Sequence, residues 1–242
     1  MERKKVLLMF SGGSDSILSM IRLIKNNYKV LLVNFDNGCS ISIGLEVEEA
    51  LGFENDYGKD KVEYIGKITT VPEFKNNELE IANMPFSEII NNYGDTTISQ
   101  LRCLNCRSAM YAEAIIYCLN NDIHYIAEGA RIDQLFSIEQ PIMIKAYKEL
   151  LKEFNIELLV PVYDINDRIL EYNLLINDID RLGGEAKCIL GMPLKEPVPL
   201  EQTNTIYNIF EKNIKPRYIK ELKKRKGNQQ IIYKGKNRFE FY

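Results

Sequence analysis

Short apolar runs alternate with segments of helical spacing along most of this chain. Strands are predicted where consecutive apolar residues are bounded by turn residues, and helices where apolar residues recur every three or four positions. The predicted strands cover residues 6–10, 29–35, 62–68, 125–127 and 157–162. The predicted helices cover residues 17–24, 43–51, 85–93, 106–119, 142–154, 169–182 and 205–225. This alternation predicts an α/β fold with a doubly wound, mostly parallel sheet.

The C-terminal part of the chain differs in composition from the rest. Residues 212–242 contain eleven Lys and Arg against two Glu, a net charge of +9, whereas residues 1–211 carry −12. The pattern predicts a basic amphipathic helix, irregular near Pro216, followed by a hairpin of residues 231–233 and 238–242. We therefore expect one domain over residues 1–200 and a small basic extension over residues 201–242. Its charge indicates either a polyanionic partner or a solvated surface.

The apolar runs are too short to cross a membrane or to serve as a signal peptide. We therefore expect a cytoplasmic protein without a membrane partner. In that reducing compartment the five cysteines are expected to be thiols or metal ligands rather than disulfides.

The turn after the first strand carries the most specific motif in the sequence. Its residues are Ser11, Gly12, Gly13, Ser14, Asp15 and Ser16. Glycines let the backbone curl close to a ligand, and the free N–H groups at a helix start suit a phosphate. The spacing matches neither the Walker motif nor the dinucleotide fingerprint. The turn therefore predicts a nucleotide phosphate site of another kind.

This hexapeptide resembles the pyrophosphate loop (PP-loop) of the N-type ATP pyrophosphatases, which have an adenine nucleotide alpha hydrolase-like fold. The resemblance implies that residues 11–16 hold the phosphates of ATP and that ATP is cleaved between its α and β phosphates. Asp15 is expected to help hold Mg²⁺, because hard cations prefer carboxylate oxygens.

Two further strand ends are expected to meet this loop. In open α/β sheets, ligands lie beyond the carboxyl ends of the strands. We expect Asn34, Phe35 and Asp36 to contact the adenosine there, and Gly129 to mark a strand tip close to the phosphates. His124 precedes its strand, so it is predicted to lie at the opposite edge of the sheet.

Three cysteines are candidates for chemistry. Cys103 and Cys106 are three residues apart at a predicted helix start, where the helix dipole and flanking arginines favour thiolates. Cys188 is predicted to lie on a loop. A redox or persulfide-forming pair, a Zn²⁺ site and an iron–sulfur site all remain open. Cys39 is the sensible fourth ligand of a zinc site, and Cys118 is predicted to be core.

The order of these motifs is similar to that of the tRNA 2-thiolation enzymes of the PP-loop group. It comprises Cys103-x-x-Cys106, the segment 126–133, the segment 159–162 and the lone Cys188. The resemblance implies that Cys103, Cys106 and Cys188 hold a [4Fe–4S] cluster, with Zn²⁺ or no metal as alternatives. It also implies an adenylating sulfurtransferase acting on a tRNA base, with Asp15, Cys106 and Cys188 as catalytic residues.

Two other functions stay open. One is a PP-loop ligase or thiolase of a free small molecule, similar to the 7-cyano-7-deazaguanine synthases or to sacrificial sulfur transferases. The other is a nucleotide-binding module without turnover. The expected partners are ATP, tRNA, a sulfur donor and, as an assembly, a second copy in a homodimer. Tyr207, Phe210 and Tyr218 are expected either to stack on nucleic-acid bases or to form the buried face of their helix.

Overall fold

The strands and helices of the protein alternate along the chain. The computed structural model describes residues 3–38, 40–41, 44–82, 98–165, 173, 187–188, 198–228, 230 and 232–233. The strands are β1 (Lys4–Met9), β2 (Tyr28–Asp36), β3 (Ser40–Ile41), β4 (Val62–Thr69), β5 (Tyr125–Glu128), β6 (Glu157–Leu159), β7 (Lys187–Cys188) and β8 (Ile232–Tyr233). The α-helices are α1 (Ser14–Lys25), α2 (Leu45–Tyr57), α3 (Val71–Ala82), α4 (Ile98–Asn121), α5 (Pro141–Lys152), α6 (Leu200–Ile209) and α7 (Lys215–Arg225).

The main sheet of the described residues has the strand order β6-β5-β1-β2-β4-β8. Its first five strands are parallel, and β8 pairs antiparallel with β4. Leu7 in β1 lies opposite Leu31 of β2 on one side and Ile126 of β5 on the other. The strand order thus changes direction at β1, and a ligand site is expected at the carboxyl ends of β1 and β5. The predicted α/β fold with a mostly parallel sheet is confirmed.

Helices cover both faces of this sheet. Successive side chains of a strand point to opposite faces, so β1 contributes to two cores. Leu7 and Met9 belong to the core between the sheet and helices α4, α5, α6 and α7. Val6 and Leu8 belong to the core between the sheet and helices α1 and α2. Burial on both faces is why the parallel strands read as continuous apolar runs.

The C-terminal helices pack into the first of these cores. A π-helical turn, Phe210–Ile214, joins α6 to α7 just before Pro216, where an irregularity was predicted. Phe210 and Tyr218 are fully buried, and the Phe210 ring lies edge-on to Tyr147 with centroids 5.1 Å apart. Tyr207 packs partly buried against the same cluster. Phe210 and Tyr218 therefore form the buried face of their helix, and the alternative that these two residues stack on bases is wrong, whereas for Tyr207 it stays a prediction. The boundary at residue 200 stays a prediction.

Three local predictions need correction. The polar stretch before residue 83 contains helix α3, which the sequence pattern did not predict. Helix α4 begins at Ile98, so Cys103 and Cys106 lie inside it rather than at its start. Cys188 lies in β7, whose partner strand is β3, and not on a loop.

Several predicted features lie outside the described residues. They are the helices over residues 85–93 and 169–182, Cys39, and the strand over residues 238–242. None of the described helices combines the length and the apolar character that crossing a bilayer requires.

Candidate functional site

A cavity of about 290 Å³ opens at the carboxyl ends of β1 and β5. Its walls include the loop over residues 11–16, the second turn of α4 and the end of β5. The loop and all three candidate cysteines line it: Ser14, Asp15, Cys103, Cys106 and Cys188 are among its residues. The fold thus brings the predicted phosphate loop and the predicted thiols to one place.

The loop over residues 11–16 is held by its own hydrogen bonds. Gly12 has φ +79°, a left-handed conformation that favours glycine. The Gly13 carbonyl accepts bonds from the Ser16 amide at 3.0 Å and the Ser16 hydroxyl at 2.8 Å. The Gly13 amide donates to the Ser11 hydroxyl at 3.2 Å. Helix α1 therefore starts directly after a hydrogen-bonded bend, and the partial positive charge at a helix N-terminus suits an anion.

Gly129 touches the backbone of this loop. A Cβ atom at Gly129 would lie 2.9 Å from both the carbonyl carbon of Asp15 and the amide nitrogen of Ser16. Real Cβ atoms do not approach backbone so closely, and backbone cannot turn aside as a side chain can. The tip of β5 therefore lies against the loop only because this residue has no side chain, which agrees with the predicted position of Gly129.

An ion pair joins Asp15 to the segment after β5. Arg131 Nε lies 3.0 Å from Asp15 Oδ2, and Arg131 Nη1 donates to Asp133 Oδ2 at 3.0 Å. Asp15 thus places a carboxylate at the cavity, as the predicted Mg²⁺ site requires, and this carboxylate is paired with Arg131. Its role as a Mg²⁺ ligand stays a prediction.

The residues predicted to hold adenosine are absent from the described lining of the cavity. Asn34 is buried and its side-chain amide donates to the Phe10 carbonyl at 2.6 Å, which ties the ends of β1 and β2 together. Phe35 packs against the core beside α4. Asp36 Oδ1 accepts a bond from the Gly38 amide at 2.9 Å. None of the three is among the described residues that line the cavity, so their contact with adenosine stays a prediction.

Asn37, which the sequence pattern did not single out, lines the cavity instead. Its Nδ2 donates to Cys106 Sγ at 3.0 Å. This bond fixes the orientation of the Cys106 sulfur. Asn37 directly follows β2, so the rule that places ligands at strand ends was a signal that pointed to it.

Cys103 differs from Cys106 in its surroundings. Burial, followed by the neighbouring Cys106 and Cys188, raises the pKa of the Cys103 thiol to about 12. The expected thiolate is therefore wrong for Cys103, because this residue is half-buried within α4 and not at a helix start. Cys188 is exposed. Cys118 is fully buried in the core, as predicted, and burial raises its pKa.

The three thiols do not form a ready set of metal ligands. Among the residues that the structure describes, no three or more His, Cys, Asp or Glu side chains are arranged to hold a metal ion. The thiols share the cavity and influence one another's charge, which is the donor chemistry that iron and zinc sites use. The cluster, the zinc ion and the metal-free pair all stay predictions.

A buried charged network forms another wall of the cavity. Arg107 donates to Glu128 and, at 2.9 Å, to Glu139 Oε1, while the Tyr111 hydroxyl donates to Glu128 Oε1 at 2.6 Å. Burial raises the pKa of Glu139 to about 7, although Arg107 acts in the opposite direction. Burial also opposes the charge of Arg107, but Glu128 and Glu139 outweigh it and hold its pKa above the ordinary value. Sequence analysis missed this network, although Glu128 ends a buried strand.

His124 lies away from the site, as predicted. It is exposed just before β5, at the opposite edge of the sheet, and its Nδ1 lies 3.3 Å from the Asn155 carbonyl oxygen.

The chain was compared with protein-family models, curated proteins and solved structures. No protein-family model matches the chain, and no curated protein matches it. Among solved structures, a 4-thiouridine synthetase crystallised with RNA and bound ATP matches with a TM-score of 0.52 at 13% identity. The match covers 90% of this chain and 53% of the synthetase chain.

The chain shares the fold of this synthetase. This likeness shows the fold, and it is the fold that the resemblance stated above from residues 11–16 implies. The chain spans about half the length of the synthetase. A predicted subunit of tRNA methyltransferase from Methanocaldococcus jannaschii also matches, with a TM-score of 0.45 and 17% identity over 86% of this chain and 87% of that one.

Proposed function

We propose that this chain is an ATP-dependent enzyme that adenylates a carbonyl oxygen of a tRNA base and replaces that oxygen with sulfur. The observation that carries the proposal is the meeting of the loop over residues 11–16 with Cys106 and Cys188 in one cavity. ATP and RNA are both present in the crystal of the 4-thiouridine synthetase whose fold the chain shares, which supports a nucleotide and an RNA as substrates.

In the first step the carbonyl oxygen of the base attacks the α-phosphorus of ATP. The bond to the β-phosphate oxygen breaks, and pyrophosphate leaves. The first-turn N–H groups of α1 face the phosphates and stabilise the charge that develops on the leaving group. Asp15 would hold Mg²⁺, which neutralises phosphate charge when it is bound.

In the second step a sulfur atom displaces AMP. An external persulfide donor transfers sulfur to Cys106, and Asn37 holds the Cys106 sulfur by its hydrogen bond. The terminal sulfur attacks the activated carbon, the carbon–oxygen bond breaks, and AMP leaves with the former carbonyl oxygen. A second thiol then attacks Cys106 Sγ. This attack frees the thiocarbonyl and leaves a disulfide, which a dithiol reductant reopens. The exposed Cys188 suits this attack better than Cys103, which keeps its proton.

A cluster is the alternative sulfur carrier. Cys103, Cys106 and Cys188 would be its ligands, and it would supply an iron site for sulfide. Since the described side chains form no ready group of three metal ligands, we derive no step through it. The iron and acid-labile sulfide content of anaerobically purified protein decides between the two carriers.

Product analysis with total tRNA tests the proposal. Wild-type protein given Mg-ATP, tRNA and a persulfide donor should release AMP and pyrophosphate and leave a thionucleoside detectable by mass spectrometry. Cys106→Ser should keep pyrophosphate release and lose the thionucleoside, whereas Cys118→Ala, which alters a thiol outside the cavity, should keep both. Pyrophosphate release that depends on a free metabolite instead of tRNA would favour a small-molecule ligase. ATP binding without turnover would favour a nucleotide-binding module.

A further inference from the structure

The basic side chains of α7 divide into an inward and an outward set. Arg217 Nη2 lies 2.9 Å from Glu73 Oε1, and Arg225 bonds both Glu73 at 3.1 Å and Glu113 at 2.6 Å. These two cations are compensated by acids of the protein body. They anchor α7 and are not available to a partner.

The outward set is different. Lys220, Lys223 and Lys224 are exposed and have no acidic partner in the part of the chain that the structure describes. The sequence counts all basic residues of this region alike, but the fold leaves only these lysines of α7 facing solvent. The positive potential of α7 is therefore confined to one side of the helix.

Helix α5 extends this surface. Lys215 Nζ lies 3.0 Å from Glu149 Oε2, and Lys223 Nζ lies 5.7 Å from the centre of the Phe154 ring, so the two helices run side by side. Lys145, Lys148 and Lys152 are exposed on α5 at intervals of three and four residues, which places them along one side of that helix. They too lack an acidic partner among the described residues.

We call the six residues Lys145, Lys148, Lys152, Lys220, Lys223 and Lys224 the lysine face. The exposed acids on or next to the same helices are Glu149, which shares Lys215 with Glu211, and Glu153 and Glu221, so six lysines face three acids. The lysine face therefore keeps an excess of positive charge on an acidic protein.

The lysine face begins beside the cavity. Glu139 lines the cavity at the end of a 3₁₀ turn, Ser137–Glu139, and α5 starts two residues later at Pro141. At 1.5 Å per residue, α5 carries its lysines over about 18 Å away from the site. A chain of phosphates that runs along α5 therefore has one end next to the cavity.

We propose that the lysine face binds the phosphate backbone of the RNA whose base enters the cavity. The inference rests on the proposed function and adds to it where the RNA lies. Lysine ammonium groups bind phosphates as point charges without reading sequence. The buried positions of Phe210 and Tyr218 exclude stacking on bases by these two side chains, so this surface contacts the backbone.

The same helices do not fit a membrane surface. An interfacial helix inserts an apolar face into the lipid. Among the apolar residues of α7, Tyr218 and Leu222 are buried in the core and Ile219 packs against it partly buried. None of the described exposed large apolar residues lies on α5 or α7. The lysine face thus offers charge without an insertion surface, which favours a dissolved polyanion.

Charge-neutralising variants of the whole chain test this assignment. In the triple variant Lys145→Gln, Lys148→Gln and Lys152→Gln, affinity for total tRNA should fall about 10- to 100-fold at moderate salt. The slope of log affinity against log salt should become shallower by about two to three, one unit for each lost phosphate contact. The variant Lys220→Gln, Lys223→Gln and Lys224→Gln should behave in the same way.

The matched control makes the same charge change elsewhere. Lys4, Lys25 and Lys59 are exposed on the other face of the sheet, the side of α1 and α2, and their triple Gln variant should keep wild-type RNA affinity and salt slope. Thermal melting checks that each variant is folded. Equal losses in control and test variants would overturn the proposal, because they would show only an effect of net charge.

Binding is measured without ATP, so the outcomes separate the two proposals. Unchanged RNA affinity in both lysine-face variants overturns the lysine face and leaves adenylation untouched. Reduced affinity together with no AMP release from wild type upholds the lysine face and removes the proposed chemistry. Lysine-face variants that lose binding to anionic phosphatidylserine vesicles while RNA affinity is unchanged would assign the surface to lipid and overturn the proposal.

Discussion

Arg131 Nε lies 3.0 Å from Oδ2 of Asp15. The negative charge of this aspartate in the phosphate loop is therefore balanced by an arginine of the segment that follows β5. This contact joins the segment after β5 to the start of α1 at the mouth of the cavity. Mutating either residue alone removes one charge of this ion pair, so the contribution of each charge can be measured separately.

We expect Asp15→Asn to lower kcat/KM for AMP release about 100- to 1,000-fold, the size of loss that follows removal of one group stabilising a transition state. Arg131→Gln should cost about tenfold, because Asp15 stays negative. Pyrophosphate release from Mg-ATP measures both. Asp133→Asn removes the exposed second partner of Arg131 and should stay near wild type; a loss as large as that of Asp15→Asn would contradict the role given to Asp15.

Gly129→Ala should weaken ATP binding at least tenfold, because the new Cβ atom displaces the backbone of Asp15 and Ser16. Isothermal titration with a non-hydrolysable ATP analogue measures the effect. Gly227→Ala is the control, since φ at Gly227 is +87° but no atom lies within 4 Å of the added Cβ. The Gly227→Ala variant introduces backbone strain without crowding any neighbouring atom, so its affinity for ATP should not change. If Gly129→Ala kept wild-type affinity for the ATP analogue, nucleotide binding would not depend on the position of this loop.

The buried carboxyl of Glu139 makes stability depend on pH. The unfolded chain loses this proton near pH 4.5 and the folded chain near 7, so the folded state holds more protons between these values. Stability from this group therefore falls as pH rises from about 4.5 to about 7. Glu139→Gln removes the effect, so between pH 4.5 and 8 its free energy of unfolding should rise relative to that of wild type by about 3 kcal/mol. Urea unfolding at several pH values measures it. The exposed Glu153→Gln should follow wild type, and parallel curves for Glu139→Gln would contradict the prediction.

Alkylation should distinguish the cysteines of the metal-free protein. At pH 8 the Cys103 thiol, with a pKa of about 12, is ionised in about one molecule in ten thousand. Iodoacetamide should therefore label the exposed Cys188 first and leave Cys103 and the buried Cys118 unmodified. Peptide mass spectrometry follows the order of labelling. Rapid labelling of Cys103 would mean that this sulfur is a thiolate in the folded protein.

The regular elements that sequence analysis found are those with strong apolar periodicity. Strands β1, β2, β4 and β5 are buried on both faces, so their apolar runs were visible and their ends are correct within one or two residues. Helix α3 was missed because its buried positions include polar side chains. Asn77, for example, is buried and donates to Tyr218, a residue 141 positions away, so its burial depends on a partner that local pattern does not show.

The site was predictable where one segment carries the signal. The loop over residues 11–16 is contiguous, and its position beside the cysteines followed from the rule for strand ends. The network of Arg107, Glu128 and Glu139 joins residues 21 and 32 positions apart, and its ion pairs exist only once α4 lies over β5. The thiolate expected at Cys103 failed because the helix was predicted to begin at Cys106, whereas α4 already begins at Ile98. The sequence Thr97-x-x-Gln100 is a capping-box pattern for that start, and the sequence analysis did not use it.

The antiparallel strand β8 has a consequence for the protein in solution. It occupies the outer edge of β4 at Lys67 and Ile68, where unpaired backbone groups would otherwise invite pairing with another molecule. The two residues of β8, Ile232 and Tyr233, thus protect the backbone of β4 from pairing with another molecule. A chain that ends before residue 232 should self-associate at concentrations where the intact chain does not.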